Sequence, residues 1–138
     1  MADEIRIVQY LSAIVGDKPG EGRRLLEHLS EKGINLEGFA ALPIGDGLTQ
    51  LNFITDRTEK MREAGADAGV EFTGPERAFL IEGDDRIGAF HHHHLTLANA
   101  NINVYTSSGM CDARGHYYFL LWVKPEDFDK AAHAFDFV

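Results

Sequence analysis

The sequence predicts an α+β protein made of two consecutive βαββαβ units, each with an antiparallel sheet and with its helices on one face. Three observations lead to this prediction: an internal repeat, the same succession of strand-like and helix-like patterns in both halves, and turn-forming residues at equivalent places. The length of 138 residues suits one ordinary domain or two very small ones packed together.

The repeat emerges when the chain is shifted by 68 residues against itself. The segment 17–20, Asp-Lys-Pro-Gly, then aligns with 85–88, Asp-Arg-Ile-Gly. The segment 33–36, Gly-Ile-Asn-Leu, aligns with 101–104, Asn-Ile-Asn-Val. These matches fall at predicted turns and element starts, where the backbone geometry restricts the choice of residue. The period therefore predicts two copies of one structural unit.

The first half begins with a strand followed by a helix. Residues 5–15 are rich in branched apolar side chains, which is typical of a β-strand. Pro19 and Gly20 open a helix that runs to about Lys32. Gly33 then stands where helices commonly end in a left-handed residue, so we expect the helix to stop there.

A hairpin, a second helix and a short strand complete the first unit. The turn at 45–47, Gly-Asp-Gly, is suited to a tight hairpin, and Asp56 with Glu59 resembles a capping box before the second helix. The predicted elements are strands at 34–43, 48–55 and 70–72, with the helix through Met61 and Ala64 before the last of them. This order of elements is the ferredoxin-like arrangement.

The second half repeats the same order. Its predicted elements are a strand at 78–82, a helix at about 88–99, strands at 102–110 and 117–123, and a helix at 126–135. In the last helix, Phe128, Ala131, Ala132 and Phe135 recur at the spacing of a core-facing stripe. Pro125 in the first turn supports a helix start at this point.

The repeat predicts a boundary between units 1–75 and 76–138, and it leaves the second unit without its last strand. Position 138 corresponds to Val70, where that strand would begin. Because a bare sheet edge invites pairing, we expect residues 3–8, which precede the first strand, to supply the missing edge. The alternative is a second unit with only three strands.

The junctions at 17–20 and 85–88, with the helix-to-strand passages that begin at Gly33 and Asn101, resemble the ACT domain, a small ligand-binding regulatory module. The resemblance covers nearly the whole chain. The first junction has the family's D-x-P-G form, whereas the second has Ile87 in place of proline, and Asn101 replaces the usual glycine. The resemblance implies binding of an amino acid or similar metabolite, usually where two such domains meet. It also implies regulation of an enzyme of amino-acid metabolism, here by a stand-alone member.

The junctions offer chemistry that suits a free amino acid. The helix opening at Gly20 presents unpaired backbone N–H groups to a carboxylate, and a glycine lets the ligand approach the backbone. Asp17 could receive the ammonium group, and Asn35 offers both a donor and an acceptor. The remaining candidate ligand-binding residues are Lys18 and Pro19 in the first unit and Asp85, Arg86, Ile87, Gly88 and Asn103 in the second.

Each of these candidates also has a purely structural explanation. Asp17 and Asp85 suit helix N-caps, and the glycines that follow them could serve only to turn the chain. Asn35 and Asn103 could be satisfied by hydrogen bonds to the nearby backbone. The recurrence of the whole set at one spacing favours ligand binding over these separate explanations.

Four consecutive histidines, His91 to His94, form an unusual run. In a helix, the first and the last of them share a face and could hold a metal together. A third ligand, such as His116 or Asp84, would have to come from elsewhere in the fold. The repeat aligns His93 and His94 with two leucines of the first helix, so one or both should face the core. We therefore expect partly buried or solvated helix histidines and no metal.

Two other groups of residues have the chemistry for catalysis or for cation binding. Cys111 and His116 flank the second hairpin turn and could form a nucleophile–base pair, but no third orienting group is evident. Glu82, Asp84 and Asp85 could hold a divalent cation, although acids at strand ends are commonly just solvated. The sequence has neither a G-x-x-x-x-G-K-[ST] phosphate loop nor a G-x-S-x-G elbow. We predict a non-catalytic protein without a cofactor.

The composition and the N-terminal sequence indicate which classes of partner and which cellular compartment to expect. The formal charge of −9 and the absence of a basic stripe argue against nucleic acid. No apolar run approaches the ~20 residues of a membrane helix, so we expect no membrane association. The N-terminal MADEIRIV lacks the features of a secretory signal, and a single cysteine fits a reducing compartment. These features together predict a cytoplasmic protein.

The strand predicted at 117–123 reads YYFLLWV and is apolar on both faces. A sheet that carries helices on one side normally has polar residues on the other. We therefore expect the second face to be covered by the other repeat or by a second chain, and we predict a homodimer.

Three functions remain compatible with these observations. The preferred one is a non-catalytic sensor of an amino acid, with its sites at the strand–helix junctions. One alternative is a small enzyme or metal-binding protein that uses the run His91 to His94. The other is an interaction module that docks a partner enzyme.

Overall fold

The computed structural model describes residues 3–137. Its strands are β1 (Glu4–Gly16), β2 (Gly38–Gly45), β3 (Leu48–Ile54), β4 (Thr73–Asp84), β5 (Thr106–Cys111) and β6 (His116–Trp122). Its helices are α1 (Glu21–Glu31), α2 (Thr58–Asp67), α3 (Ala89–Asn99) and α4 (Phe128–Ala134), the last preceded by a 3₁₀ turn at Pro125–Asp127.

The described residues divide into two units. The first unit comprises residues 9–76, and the second unit comprises 3–8 together with 77–137. The strand order is β2-β3-β1-β4 in the first unit and β1-β4-β6-β5 in the second, since β1 and β4 contribute residues to both. The pairings of β3 with β1 and β2, and of β6 with β4 and β5, are antiparallel. The predicted α+β, ferredoxin-like fold class is therefore confirmed.

The core of the first unit lies between its strands and the apolar faces of α1 and α2. The register places Leu11 opposite Phe53, and both side chains are fully buried. Leu25 and Leu29, one turn apart on α1, pack into the same core, as does Met61 of α2. Burial of these side chains holds α1 over the sheet, because each contributes about 1.5–3 kcal/mol of hydrophobic stabilisation.

The second unit has an equivalent core. Phe79 of β4 pairs in register with Leu121 of β6, and its ring stacks on Phe128 of α4 at 4.6 Å between centroids. Leu97 of α3 and Ala131 of α4 complete the buried cluster. The predicted stripe on the last helix therefore does face the core, and its two most deeply buried members are the ones at positions 128 and 131.

The ends of α1 and α3 repeat the same geometry. Gly33 and Asn101, 68 positions apart, both adopt the left-handed conformation, with φ of 73° and 59°. Asparagine tolerates this conformation better than most residues, which explains how it replaces the glycine. The N–H of the next residue in each case reaches back to close the helix, in the bonds Ile34 N to Leu29 O (3.0 Å) and Ile102 N to Leu97 O (2.9 Å).

Several predicted element bounds were wrong. Residues 34–37 and 102–105 are not strand, because they carry the chain from a helix end to the sheet, and β2 and β5 begin at Gly38 and Thr106. The predicted strand at 70–72 does not form either. The sheet is instead entered at residue 73 by β4, which also includes the predicted strand 78–82.

Two further expectations, about the start of α2 and the start of β1, differ from the structure. Asp56 does not cap α2, because the N-cap is Arg57 and no side chain bonds the free N–H groups there. Instead the hydroxyl of Thr55 accepts a hydrogen bond from the N–H of Arg57 at 3.0 Å. Residues 4–8, which were expected to precede the first strand, form its beginning. They group with the second unit, to which they were expected to supply an edge strand.

None of the helices formed by residues 3–137 has the length and the apolar character needed to cross a bilayer.

Candidate ligand-binding site

The strand–helix junction of the first unit is a short turn fastened to the neighbouring hairpin. The N–H of Asp17 donates to the carbonyl of Gly47 at 2.8 Å, and the N–H of Lys18 donates to that of Gly16 at 2.9 Å. Gly20 is the N-cap of α1, and its φ of 89° is a left-handed value that glycine adopts without strain. The turn therefore delivers the start of α1 next to the end of β1.

An open cleft of about 700 Å³ lies beside this junction, within the first unit. Its apolar part is lined by Ala41 of β2 and by Leu51 of β3, together with Leu26 on α1. Clefts that hold small ligands typically measure roughly 300–1,000 Å³ and combine apolar walls with a few polar groups. The volume and the lining of this cleft fit that description.

The charged residues around the cleft are balanced. Lys18 and Arg23 contribute two positive charges, and Asp17 and Glu27 contribute two negative ones. Arg23 and Glu27 form an ion pair one turn apart on α1, with 74% and 53% of their side chains exposed. Such exposed pairs contribute little to stability and can exchange partners. A set of two cations and two anions suits a ligand that carries one charge of each sign.

The structure brings together only part of the predicted site. Asp17 and Lys18 line the cleft, and Pro19 and Gly20 follow them in the same turn. Asn35 comes after the opposite end of α1, an 11-residue helix about 16 Å long. Its carbonyl accepts a hydrogen bond from a threonine hydroxyl at 3.4 Å. A small ligand at the start of α1 therefore does not reach Asn35, and Asn103 follows α3 in the same way.

The capping explanation for the two aspartates was wrong. The N-cap residues of α1 and α3 are Gly20 and Gly88, and neither helix start has a side-chain cap hydrogen bond. Asp17 and Asp85 instead act through their backbones, since each donates its N–H to a glycine carbonyl in the adjacent hairpin at 2.8 Å. Neither carboxylate caps the helix that follows it.

In the second unit, the equivalent junction is occupied by contacts within the chain. The carboxylate of Asp85 accepts a hydrogen bond from the Cys111 thiol at 3.2 Å. Arg86 donates two hydrogen bonds, at 3.0 and 2.9 Å, to the two carboxylate oxygens of Asp3. Ile87 is fully exposed, and Gly88 is left-handed like its counterpart in the first unit.

A polar network, which we call the Asp3 cluster, joins Asp3, Arg86, His93 and Tyr117 in the second unit. His93 Nε2 lies 3.0 Å from Asp3 Oδ2 and 2.8 Å from the Tyr117 hydroxyl. His93 is buried, which agrees with its predicted orientation toward the core. Arg86 and His93 belonged to motifs that the sequence analysis recognised, but no sequence signal brought them together with Asp3 and Tyr117, because Asp3 lies 83 residues before Arg86 and Tyr117 lies 24 residues after His93.

The environment of the Asp3 cluster shifts the pKa values of all four of its members, and the carboxylate of Asp3 raises that of Arg86. Hydrogen bonds from Arg86 lower the pKa of the Asp3 carboxyl from 3.8 to about 2. Burial lowers the pKa of His93, and this effect is larger than that of the negative charge of Asp3, which raises it. Burial also raises the pKa of the Tyr117 hydroxyl. At neutral pH the cluster therefore holds an ionised carboxylate next to a neutral imidazole and a neutral phenol.

The residues considered for a nucleophile–base pair or a metal site contact other side chains in the structure. The hydrogen bond to Asp85 raises the pKa of the Cys111 thiol, which makes it a poorer nucleophile. His116 Nδ1 lies 3.5 Å from a carboxylate oxygen of Asp112, and His94 Nε2 lies 3.2 Å from the Ser107 hydroxyl. Among residues 3–137, no three His, Cys, Asp or Glu side chains come together in a way that could hold a metal ion.

Comparison with known proteins identifies structural relatives only. No protein-family model matches the chain, and no curated protein matches it in sequence. The fold resembles protein BT0572 from Bacteroides thetaiotaomicron, with a TM-score of 0.81 and 16% identity over 96% of this chain and 88% of that one.

It also resembles the regulatory subunit of aspartate kinase from Thermus flavus, with a TM-score of 0.67 and 17% identity over 98% of this chain and 97% of that one. The ligand-free regulatory subunit from Thermus thermophilus gives a TM-score of 0.67 and 16% identity over 96% and 93%. At these identities the likeness shows the fold, which this chain therefore shares with regulatory subunits.

Proposed function

We propose that this protein is a non-catalytic regulatory protein that binds a small zwitterionic metabolite, an amino acid, in the cleft of the first unit. The observation that carries the proposal is the position of that cleft. It lies beside the junction 17–20, where the helix start, Asp17 and Lys18 meet an apolar wall. The ligand carboxylate would lie near Lys18 and the backbone N–H groups at the start of α1, and the ammonium group near Asp17.

The structural relatives support the regulatory part of this proposal. The aspartate kinase regulatory subunits share the fold over nearly the whole length of both chains. By analogy, the output of ligand binding would be a change in the activity of a partner enzyme of amino-acid metabolism in the cytoplasm.

The edge of the first unit supports a homodimer. β2 is the edge strand of that unit, and it exposes the apolar side chains of Phe39, Leu42 and Ile44, each by more than 40%. An exposed apolar edge strand favours pairing with another chain. Sedimentation at micromolar concentration should therefore give the mass of two chains, and a monomer would contradict this part of the proposal.

Isothermal titration calorimetry with each of the twenty amino acids tests the proposal on the full chain. We expect heat from one amino acid or a small group of similar ones. Lys18→Ala should weaken that binding roughly tenfold to a hundredfold, as expected for a lost charged hydrogen bond. Lys32→Ala is the matched control, because Lys32 lies at the other end of α1 in an exposed ion pair with Asp67.

The two possible failures have different meanings. If none of the twenty amino acids produces heat or a thermal shift at millimolar concentration, amino-acid binding is refuted. If Lys18→Ala and Lys32→Ala bind the ligand equally well, the ligand binds elsewhere in the chain.

A further inference from the structure

The two units differ at one position in the first turn of their equivalent helices. Gly22 is the second residue of α1, and Phe90, 68 positions later, is the second residue of α3. The ring of Phe90 lies 4.9 Å from that of Phe119 and 5.6 Å from that of Tyr117, measured between centroids. It therefore packs down onto β6 from the start of the helix.

The ring of Phe90 fills the space above the edge strand β5 and its neighbour β6. A Cβ atom placed on Gly109 of β5 would lie only 2.7 Å from the ring carbon Cζ, so the ring uses the space that a side chain there would need. Over β6, the same ring contacts the rings of Tyr117 and Phe119. The residues of the first unit 68 positions before Gly109, Tyr117 and Phe119 are Ala41, Thr49 and Leu51, and all three line the 700 Å³ cleft.

In the first unit the same space has no side chain from the helix. Gly22 itself lines the cleft, and a Cβ atom placed on it would meet no atom within 4 Å. The cleft of the first unit is thus the counterpart of the volume that a phenyl ring fills in the second. The phenyl ring of Phe90 in the second unit therefore indicates the size and the apolar character of a group that would fit the cleft of the first unit.

On the basis of the proposed function, we infer that each chain binds one ligand, in the first unit, and that this ligand is an α-amino acid with an aromatic or large aliphatic side chain. The side chain takes the place that the Phe90 ring has in the second unit. It contacts the apolar surfaces of Ala41 and Leu51, where a polar side chain would lose its hydrogen bonds to water. The charged rim formed by Asp17 and Lys18 takes the zwitterionic end.

Calorimetry with L-phenylalanine, L-leucine, L-aspartate and glycine as probes tests this inference on the wild-type chain. We expect one binding site per chain. L-phenylalanine or L-leucine should bind roughly tenfold to a hundredfold more tightly than glycine, from burial of the apolar side chain. These two results do not depend on any variant.

The variant Gly22→Phe tests the position of the site. It places at the start of α1 the same side chain that Phe90 has at the start of α3. Because this ring would occupy the cleft, we expect the variant to bind L-phenylalanine or L-leucine at least tenfold more weakly. Helix content by circular dichroism should be unchanged, because a side chain at this helical position starts in open space. Ser30→Phe is the matched control, since it adds the same side chain at an exposed position of α1 and should bind like the wild type.

The outcomes separate this inference from the proposed function. Two sites per chain, equal affinity for glycine and L-phenylalanine, or unchanged binding by a folded Gly22→Phe would each overturn the inference while amino-acid binding stands. An absence of binding by every amino acid would overturn the proposed function and the inference with it.

Discussion

Replacement of Asp3 by asparagine should destabilise the second unit by an amount that depends on pH. Asp3 accepts two hydrogen bonds from Arg86 and lies within hydrogen-bonding distance of the buried His93, and only 10% of its side chain is exposed. Asp3→Asn removes the charge and one of the two carboxylate oxygens but keeps the size. The variant therefore isolates the electrostatic contribution of the Asp3 cluster.

The magnitude follows from the pKa of the carboxyl. Its decrease from 3.8 to about 2 corresponds to about 2.5 kcal/mol of stabilisation when the carboxyl is ionised. The side chain of Arg86 is 43% exposed, so solvent screens part of the attraction. We expect Asp3→Asn to lower the free energy of unfolding by about 1–2 kcal/mol at pH 7.

The sign of the pH dependence is fixed by the direction of the shift. The folded pKa of Asp3 lies below its unfolded value, so the stabilisation is complete above about pH 5 and is lost as the pH falls toward 2. About half of it should be gone by pH 3. The difference in unfolding free energy between wild type and Asp3→Asn should shrink accordingly.

Urea unfolding followed by circular dichroism, at several pH values between 7 and 3, measures this difference. Asp46→Asn provides a control, because Asp46 is an exposed residue of the β2–β3 turn in the first unit. A constant difference between wild type and Asp3→Asn across this range would refute the reasoning, as would a loss at pH 7 no larger than that of the control.

Three further predictions concern the second unit. Gly83→Ala should lower the unfolding free energy by about 1–3 kcal/mol in urea, because the added methyl group would overlap the Asp3 carboxylate. His93 has a folded pKa below its unfolded value, so wild type should lose stability as the pH falls below about 6.5, and His93→Gln should show a flatter slope between pH 7.5 and 5.5. Asp85→Asn should speed alkylation of Cys111 by iodoacetamide at pH 8 severalfold, because the carboxylate raises the pKa of the thiol; equal rates would contradict this.

The elements that were predicted well depend on residues close together in the chain. The left-handed residues Gly33 and Asn101 end their helices through bonds that span five residues. The buried stripe on α4 recurs every three or four residues. Such signals are contained in a short window of sequence, so they can be recognised without the rest of the fold.

That β1 and β4 run without a break from one unit into the other was not predicted. β1 and β4 are continuous strands that contribute to both units, and their change of unit occurs between Val8 and Gln9 and between Glu76 and Arg77. No turn or composition change marks these points. Which part of a strand pairs with which neighbour depends on partners far away in sequence.

The candidate site was predicted only in part. Asp17 and Lys18 do lie beside a cleft, but the strand residues that complete it, such as Ala41 and Leu51, carried no signal of their own. The separation of Asn35 from this turn follows from the length of α1 alone, since the predicted helix already placed them at opposite ends.

The sequence by itself determined the fold class, the period of the repeat and the turns at 17–20 and 85–88 that precede α1 and α3, because these follow from local backbone preference and apolar spacing. Only the tertiary structure decided that the space beside one junction is filled by a side chain and the space beside the other is open. In the second unit the ring of Phe90 fills the space between the start of α3 and the strands β5 and β6, whereas Gly22 leaves the equivalent space of the first unit open. Whether a side chain fills a space depends on packing against strands distant in sequence, and a repeat alignment does not contain that information.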